Sequence, residues 1–212
     1  LGFTQLGRIE YAERGGRLNT DFIDNSGGVD SSDREVNIKI LVNGVVADGG
    51  LTRRRRDTLL TSMTDQLAAL VLADNYAQTQ ALSMLAARAA DRLDEHARLI
   101  RVLELKGLLD RALEFLPSEE EIEERRTAGR GLTRPELAVI LSYSKIDLRA
   151  RLIASDVPED EFLRRELDAY FPPALTQRFP EAIRTHRLAR EIVGMLIASS
   201  MINRMGPTFV VR

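Results

Sequence analysis

Glycine and proline are segregated along this chain, and that segregation constrains its fold more than any other feature. Nine of the fourteen glycines lie within residues 1–50, while all seven prolines lie at or beyond Pro117. Residues 51–116 hold one glycine, Gly107, and no proline, so the middle of the chain lacks the two residues that most disfavour a helix. The first fifty residues combine glycine with β-branched and aromatic runs and read as strand, turn and loop. The last third reads as helices punctuated by proline. The expected fold class is therefore mainly α: a short α/β segment to about residue 50, with one or two strands, followed by a bundle of six to eight helices that contains the core.

Periodicity supports the helices. Leu59, Leu60, Met63, Leu67, Leu70 and Val71 recur at three- and four-residue steps, as do Leu82, Leu85 and Ala89, then Leu93, Ile100 and Leu103. Ser118 with Glu121, and Thr133 with Pro135 and Glu136, are capping-box patterns in which hydroxyl and carboxylate each satisfy an orphan backbone N–H. Ile183, Leu188, Ile192, Met195, Leu196 and Ser199 line one face of a final long helix, which Gly206 and Pro207 end. The tail from Thr208 to Arg212 is too short to assign.

Composition narrows the function classes. A chain of 212 residues fits one or two domains of roughly 100–200 residues each. Apolar residues at 44% and charged residues at 29% are those of a globular protein, and no apolar run nears the roughly 20 residues that span a bilayer. Thirty basic against thirty-two acidic residues leave a formal charge of −2, so there is no global positive field for nucleic acid or an anionic membrane. The absence of cysteine removes disulfides, thiolate metal sites and thiol catalysis, and fits a cytoplasmic protein. Opening on Leu1, without a signal-peptide pattern, the sequence reads as a piece of a longer chain.

Residues 16–35, GRLNTDFIDNSGGVDSSDRE, form the most unusual stretch. Asp21–Asp24 reads as a short buried strand and residues 25–28 as a turn, because Asn tolerates a left-handed backbone and paired glycines allow close approach. Ser32 with Glu35 then reads as a capping box that starts a helix. Strand, glycine turn and helix start would aim backbone N–H groups at an anion such as a carboxylate or phosphate, although the same pattern serves as a plain structural turn. Neither G-x-G-x-x-G nor G-x-x-x-x-G-K-[ST] occurs.

Asn25-Ser26-Gly27-Gly28-Val29, with Ser32 and Glu35 following, resembles the N-A-G-G-V-x-x-S-x-x-E element of glutamate dehydrogenases. The wider runs GFTQLGRIEYA at 2–12, NTDFIDNSGGVD at 19–30, EVNIKIL at 35–41, NYAQTQAL at 75–82 and NRMGPTF at 203–209 are similar to the large bacterial NAD-specific glutamate dehydrogenases. That resemblance, running over nearly the whole chain, implies an enzyme that deaminates L-glutamate to 2-oxoglutarate and ammonium with NAD as hydride acceptor. It implies that the catalytic lysines, the catalytic aspartate and the dinucleotide turn precede Leu1, so that no catalytic residue lies in this chain and the chain alone is inactive. It further implies that Asn25 lies near the nicotinamide, that Gly27 and Gly28 form a close-approach turn to the cofactor, and that Ser32 bonds the substrate's side-chain carboxylate. The implied domains are 1–50, the end of the catalytic and nucleotide-binding region, and 51–212, a C-terminal helical domain. The implied partners are the remaining domains of a large subunit and further copies of it. The sequence departs from the shorter family pattern at Ser26, Asp30 and Ser31, and a carboxylate at Asp30 would repel a dicarboxylic substrate unless it faces away or pairs with a cation such as Arg34.

Blander readings stand beside these. Ser32 reads equally as a helix cap and Asn25 as a turn residue. His96 and His186 each lie in a helical pattern without a second ligand at i+3 or i+4, so packing or surface roles are expected and no metal site. Arg53–Arg56 reads as a solvated first turn, with an anion effector site as the sharper alternative. From a different functional class, residues 90–212 show only amphipathic helices and caps, the pattern of a non-catalytic interaction or assembly module.

Overall fold

The computed structural model describes residues 2–211. Among these the chain forms twelve α-helices and no strand: α1 (Gln5–Glu13), α2 (Asp21–Asp24), α3 (Ser26–Ala47), α4 (Arg53–Ser62), α5 (Thr64–Ala87), α6 (Leu93–Leu105), α7 (Glu119–Thr127), α8 (Arg134–Ile153), α9 (Arg165–Tyr170), α10 (Pro173–Thr176), α11 (Pro180–Arg184) and α12 (Ala189–Met205). Short 3-10 turns occupy Val157–Glu159 and Pro207–Val211. The fold is mainly α, as expected, but the segment to about residue 50 expected to be α/β is helical, with no strand among the described residues, and nine α-helices rather than six to eight follow it.

The chain divides into two compact units. One holds the residues up to Asn25, Ala77–Arg149 and those from Ala198 onward; the other holds Ser26–Tyr76 and Ala150–Ile197.

The first unit has an aliphatic core. Leu82, Leu99, Ile100, Leu103, Leu137, Ile140 and Leu141 are fully buried, and α6 turns its periodic leucine and isoleucine face inward as its spacing dictates. The Ser118 capping box is complete: Ser118 Oγ accepts from the Glu121 amide at 3.2 Å, and Glu121 Oε2 accepts from the Ser118 amide at 2.7 Å. At the start of α8, Glu136 Oε2 accepts from the Thr133 amide at 2.6 Å, and the carboxylate takes two-point donation from Arg125, at 2.7 Å to Oε2 and 2.9 Å to Oε1. Glu136 is almost wholly buried, so this fork removes what would otherwise be an uncompensated interior charge. Gly131 packs so closely that a Cβ there would lie 2.2 Å from the Ala89 carbonyl carbon, and Gly206, at φ +84°, ends α12 where glycine was expected to.

The second unit packs Ile38, Leu41 and Val42 of α3 with Leu59, Met63, Val71, Leu167, Phe171, Leu175, Ile183 and Val193 in its interior. Its polar tie points, centred on Arg34, hold α3 in place.

Four local expectations are corrected. Asp21–Asp24 is the helical turn α2, not a strand: Asp21 and Asp24 lie in its first turn, where a helix favours carboxylates, and Arg8 donates to them at 3.1 and 2.8 Å. That local polar network outweighs the strand propensity of Phe22 and Ile23. The helix expected to start at Ser32 starts at Ser26, taking Gly27 and Gly28 into its first turn. The periodic run 59–71 is two helices, α4 and α5, which meet at Met63. The final long helix begins only at Ala189; Ile183 belongs to α11, and between them His186 Nδ1 accepts from the Leu188 amide at 3.1 Å.

Candidate functional site

Helix α3 carries Gly27, Gly28 and Ser32 of the glycine-rich element, and its two faces differ in chemistry. Successive residues turn by about 100°, so positions 28, 32 and 36 share one side while 30, 34 and 38 share the other. On the first side Gly28, Val29, Ser32 and Val36 are all exposed. Glu35, one turn beyond Ser32, forms an ion pair with Lys39 that offsets its charge.

The second side is a buried polar knot. Arg34 is only 3% exposed, yet every part of its guanidinium is engaged. Its Nε donates to Asp30 Oδ1 at 3.2 Å, its Nη1 to the Tyr170 carbonyl at 2.6 Å and its Nη2 to Asp74 of α5. The guanidinium also lies over the Tyr170 ring, 4.5 Å from its centroid. Tyr170 is the last residue of α9, so its carbonyl is one of the acceptors a helix end leaves unpaired, and the C-terminal end of a helix favours a cation. Asn37 Nδ2 donates to the Tyr170 hydroxyl at 2.8 Å, and His186 Nε2 donates to the Asn37 carbonyl at 3.0 Å. Desolvation pushes the Asp30 carboxyl up to about 6, with Arg34 pulling the other way and Asp74 adding to the rise. Burial likewise lowers the His186 imidazole, which fits the neutral tautomer its two bonds require.

The first turn of α3 has its own anchor. Ser26 Oγ donates to Asn75 Oδ1, and Asn75 Nδ2 donates to the Val71 carbonyl at 2.8 Å. A Cβ added to Gly27 would sit 3.7 Å from Asn75 Nδ2, an ordinary contact, so this glycine is not required by a close approach within the unit.

The predicted residues are thus placed as follows. Ser32 is exposed in the second turn of α3 and does not cap it, since the free amides of this helix belong to the residues that begin it at Ser26. Gly28 lies one turn before Ser32 on the same face, and Gly27 points toward Asn75. Neither glycine has positive φ, so the turn expected of them is helix. Asn25 belongs to the other unit, where it is exposed, ends α2 and has φ −108°, not the left-handed backbone of a tight turn. Asp30 faces away from Ser32 and pairs with Arg34. Among the described residues no strand precedes Gly27 and Gly28, which lie inside the first turn of α3.

Sequence reasoning missed Asp74, Asn37 and Tyr170. The i, i+4 spacing of Asp30 and Arg34 was a readable signal; the bond from Arg34 to a backbone carbonyl 136 residues away was not. His96 is buried in α6 with neither ring nitrogen partnered, and burial pushes it down to about 4. The first turn of α4 does begin at Arg53, capped by Thr52 Oγ1, which accepts from the Arg55 amide at 3.3 Å. Among the described residues no group of three or more His, Asp or Glu side chains is placed to hold a metal ion, and no helix is long and apolar enough to cross a membrane.

Comparison with known proteins defines the class. Residues 1–85 match the family model for the bacterial NAD-glutamate dehydrogenase catalytic domain, and residues 129–212 match the model for the glutamate dehydrogenase C-terminal region. Over all 212 residues the chain is 57% identical to the NAD-specific glutamate dehydrogenase of Pseudomonas aeruginosa, 49% to that of Halomonas elongata and 45% to that of Mycobacterium tuberculosis. The chain spans 13% of the length of each of these curated relatives. It belongs to the family of large NAD-specific glutamate dehydrogenases.

Proposed function

We propose that this chain supplies the substrate-facing helix and the C-terminal helical region of an enzyme that oxidatively deaminates L-glutamate to 2-oxoglutarate and ammonium, with NAD accepting the hydride. Residues 1–50 are then the end of its catalytic and nucleotide-binding region, and 51–212 its C-terminal helical domain. The match of residues 1–85 to a catalytic-domain model supports a catalytic assignment for residues 1–50 and extends it through residue 85. Catalytic groups and the dinucleotide turn lie in other parts of such a subunit, so the chain alone is silent. The cysteine-free composition fits a cytoplasmic enzyme.

One observation carries the reading: α3 presents Ser32 outward on a stripe of Gly28, Val29 and Val36 while the Asp30 carboxylate, two residues earlier, is turned away and paired with Arg34. A hydroxyl so placed can donate to a substrate carboxylate without competition from Asp30, and a hydrogen bond to a charged acceptor is about twice as strong as a neutral one. Small neighbours leave room for the substrate. Asn25, Gly27 and Gly28 are each proposed to lie near the nicotinamide end of the cofactor, with the other residues that hold NAD elsewhere in the subunit.

Steady-state NAD reduction with L-glutamate tests this on the full-length protein, its Ser32→Ala variant and the isolated chain. The expected result is turnover by the first, a raised glutamate KM in the second and none in the third. No turnover by the full-length protein would overturn the reading.

A second reading concerns assembly. Leu105 (88% exposed), Leu108, Leu113 and Phe115 all leave apolar surface open in one short stretch. Such a stretch suits a helical module that packs on other parts of the same subunit or on a second copy in a homo-oligomer. Sedimentation of the full-length protein with Leu105→Glu and Leu113→Glu would reveal a loss of assembly if copies meet there.

A further inference from the structure

We propose that Arg34 is a positioning residue for Ser32: its buried guanidinium ties α3 to Asp74 of α5 and to the end of α9 at Tyr170, so that the C-terminal region sets the direction in which α3 presents Ser32. The inference rests on the reading of Ser32 as the carboxylate-binding group.

The geometry carries it. Ser32 and Arg34 are two residues apart on one helix and therefore point to nearly opposite sides. A rotation of α3 about its axis moves both, so fixing Arg34 fixes Ser32. Arg34 makes charged or backbone contacts on three sides: its own turn at Asp30, α5 at Asp74 and α9 at the Tyr170 carbonyl. A planar five-donor fork can satisfy those three acceptors at once, whereas lysine's single ammonium lacks that fixed fork. Asn37, one turn further along α3, repeats the tie through the Tyr170 hydroxyl and through His186. Aliphatic packing at Ile38, Leu41 and Val42 holds α3 against the unit, but apolar contacts are non-directional and tolerate small rotations that a bonded guanidinium does not.

The distinction between the two halves of the tie matters for chemistry. Tyr170 lies in the stretch that matches the C-terminal family model, while Arg34 and Ser32 lie in the stretch that matches the catalytic-domain model. The C-terminal region thereby becomes a brace for substrate binding and not only a cover.

The test is a double-mutant cycle in the full-length protein: Ser32→Ala, Arg34→Lys and the pair, with glutamate KM, NAD KM and kcat measured for each. A misplacement of about 1 Å can cost on the order of a hundredfold, so the smaller turn of α3 that Arg34→Lys permits is expected to raise the glutamate KM by about tenfold, and the NAD KM by less, since Gly28 turns with Ser32 on the same helix. The pair is expected to match Ser32→Ala alone, because a misdirected hydroxyl that is absent costs nothing more. Effects that multiply in the pair would show that Arg34 acts independently of Ser32 and overturn the inference while leaving the Ser32 reading intact. An unchanged KM in Ser32→Ala would instead sink the Ser32 reading and this inference with it. Should Arg34→Lys not fold, Asp74→Asn loosens the same tie from a half-exposed position on α5, with the same expected split between the two KM values.

Discussion

Helices α3 and α6 are secured by opposite means. α6 buries Leu93, Ala97, Leu99, Ile100 and Leu103 and relies on apolar area, with one polar side chain, His96, buried among them without a partner. α3 buries Ile38, Leu41 and Val42 as well, but its place is fixed by Arg34, whose donors are spent on Asp30, Asp74 and the Tyr170 carbonyl. Apolar packing gives stability without direction, whereas a bonded guanidinium fixes an angle. A helix that must present one hydroxyl at a defined angle gains from the second arrangement.

The comparison is broken most severely by hollowing the aliphatic side. Leu103→Ala, at a fully buried site, should cost about 2–5 kcal/mol, read as a lowered urea midpoint. A loss below about 1 kcal/mol would mean that α6 is not held by its core.

Acid separates the two helices by sign. The imidazole of His96 has its pKa lowered from 6.5 to about 4, so below pH 6.5 the unfolded chain takes a proton that the folded chain refuses. Stability is therefore lost as pH falls from 6.5 toward 4, by roughly 3 kcal/mol at most, and His96→Leu should abolish that loss. Asp30 behaves in the reverse way. Its folded pKa is raised from 3.8 to about 6, so its contribution is present below pH 3.8 and lost as pH rises through 6. Since 24% of the Asp30 side chain still meets water, which screens the effect, it is about 1 kcal/mol, visible as a flatter stability profile between pH 4 and 6 in Asp30→Asn. Parallel pH profiles for both variants and the parent would contradict these assignments.

The smallest effect is expected at an exposed helix end. Ser118→Ala removes the hydroxyl half of the α7 capping box and should cost about 0.5–1 kcal/mol, with no change in any kinetic constant.

The same contrast explains how much could be read from sequence. α6 and the start of α7 were legible because their signals are local: a three- and four-residue apolar step, and a serine three residues before a glutamate. The stretch 19–35 misled because its local signals pointed elsewhere. Phe22 and Ile23 favour a strand, yet Arg8 recruits Asp21 and Asp24 into a helical turn. Gly27 and Gly28 favour a turn, yet Ser26, anchored to Asn75, lets the helix start before them. Ser32 and Glu35 have the spacing of a capping box but sit inside a helix already under way. For the candidate site, Ser32 was visible as a residue and Asp30 with Arg34 as a pair. The Tyr170 carbonyl and Asp74 were not, because no spacing rule links residues brought together by the fold over 136 and 40 positions.

The account stands on the outward hydroxyl of α3, and the glutamate KM of the full-length protein carrying Ser32→Ala or Ser32→Thr tests it most directly. Threonine keeps the hydroxyl and alanine removes it, in a helix that tolerates either. The account predicts a KM raised about tenfold or more in Ser32→Ala, largely restored in Ser32→Thr, with the NAD KM unmoved in both. Equal glutamate KM values for alanine, threonine and serine would contradict it.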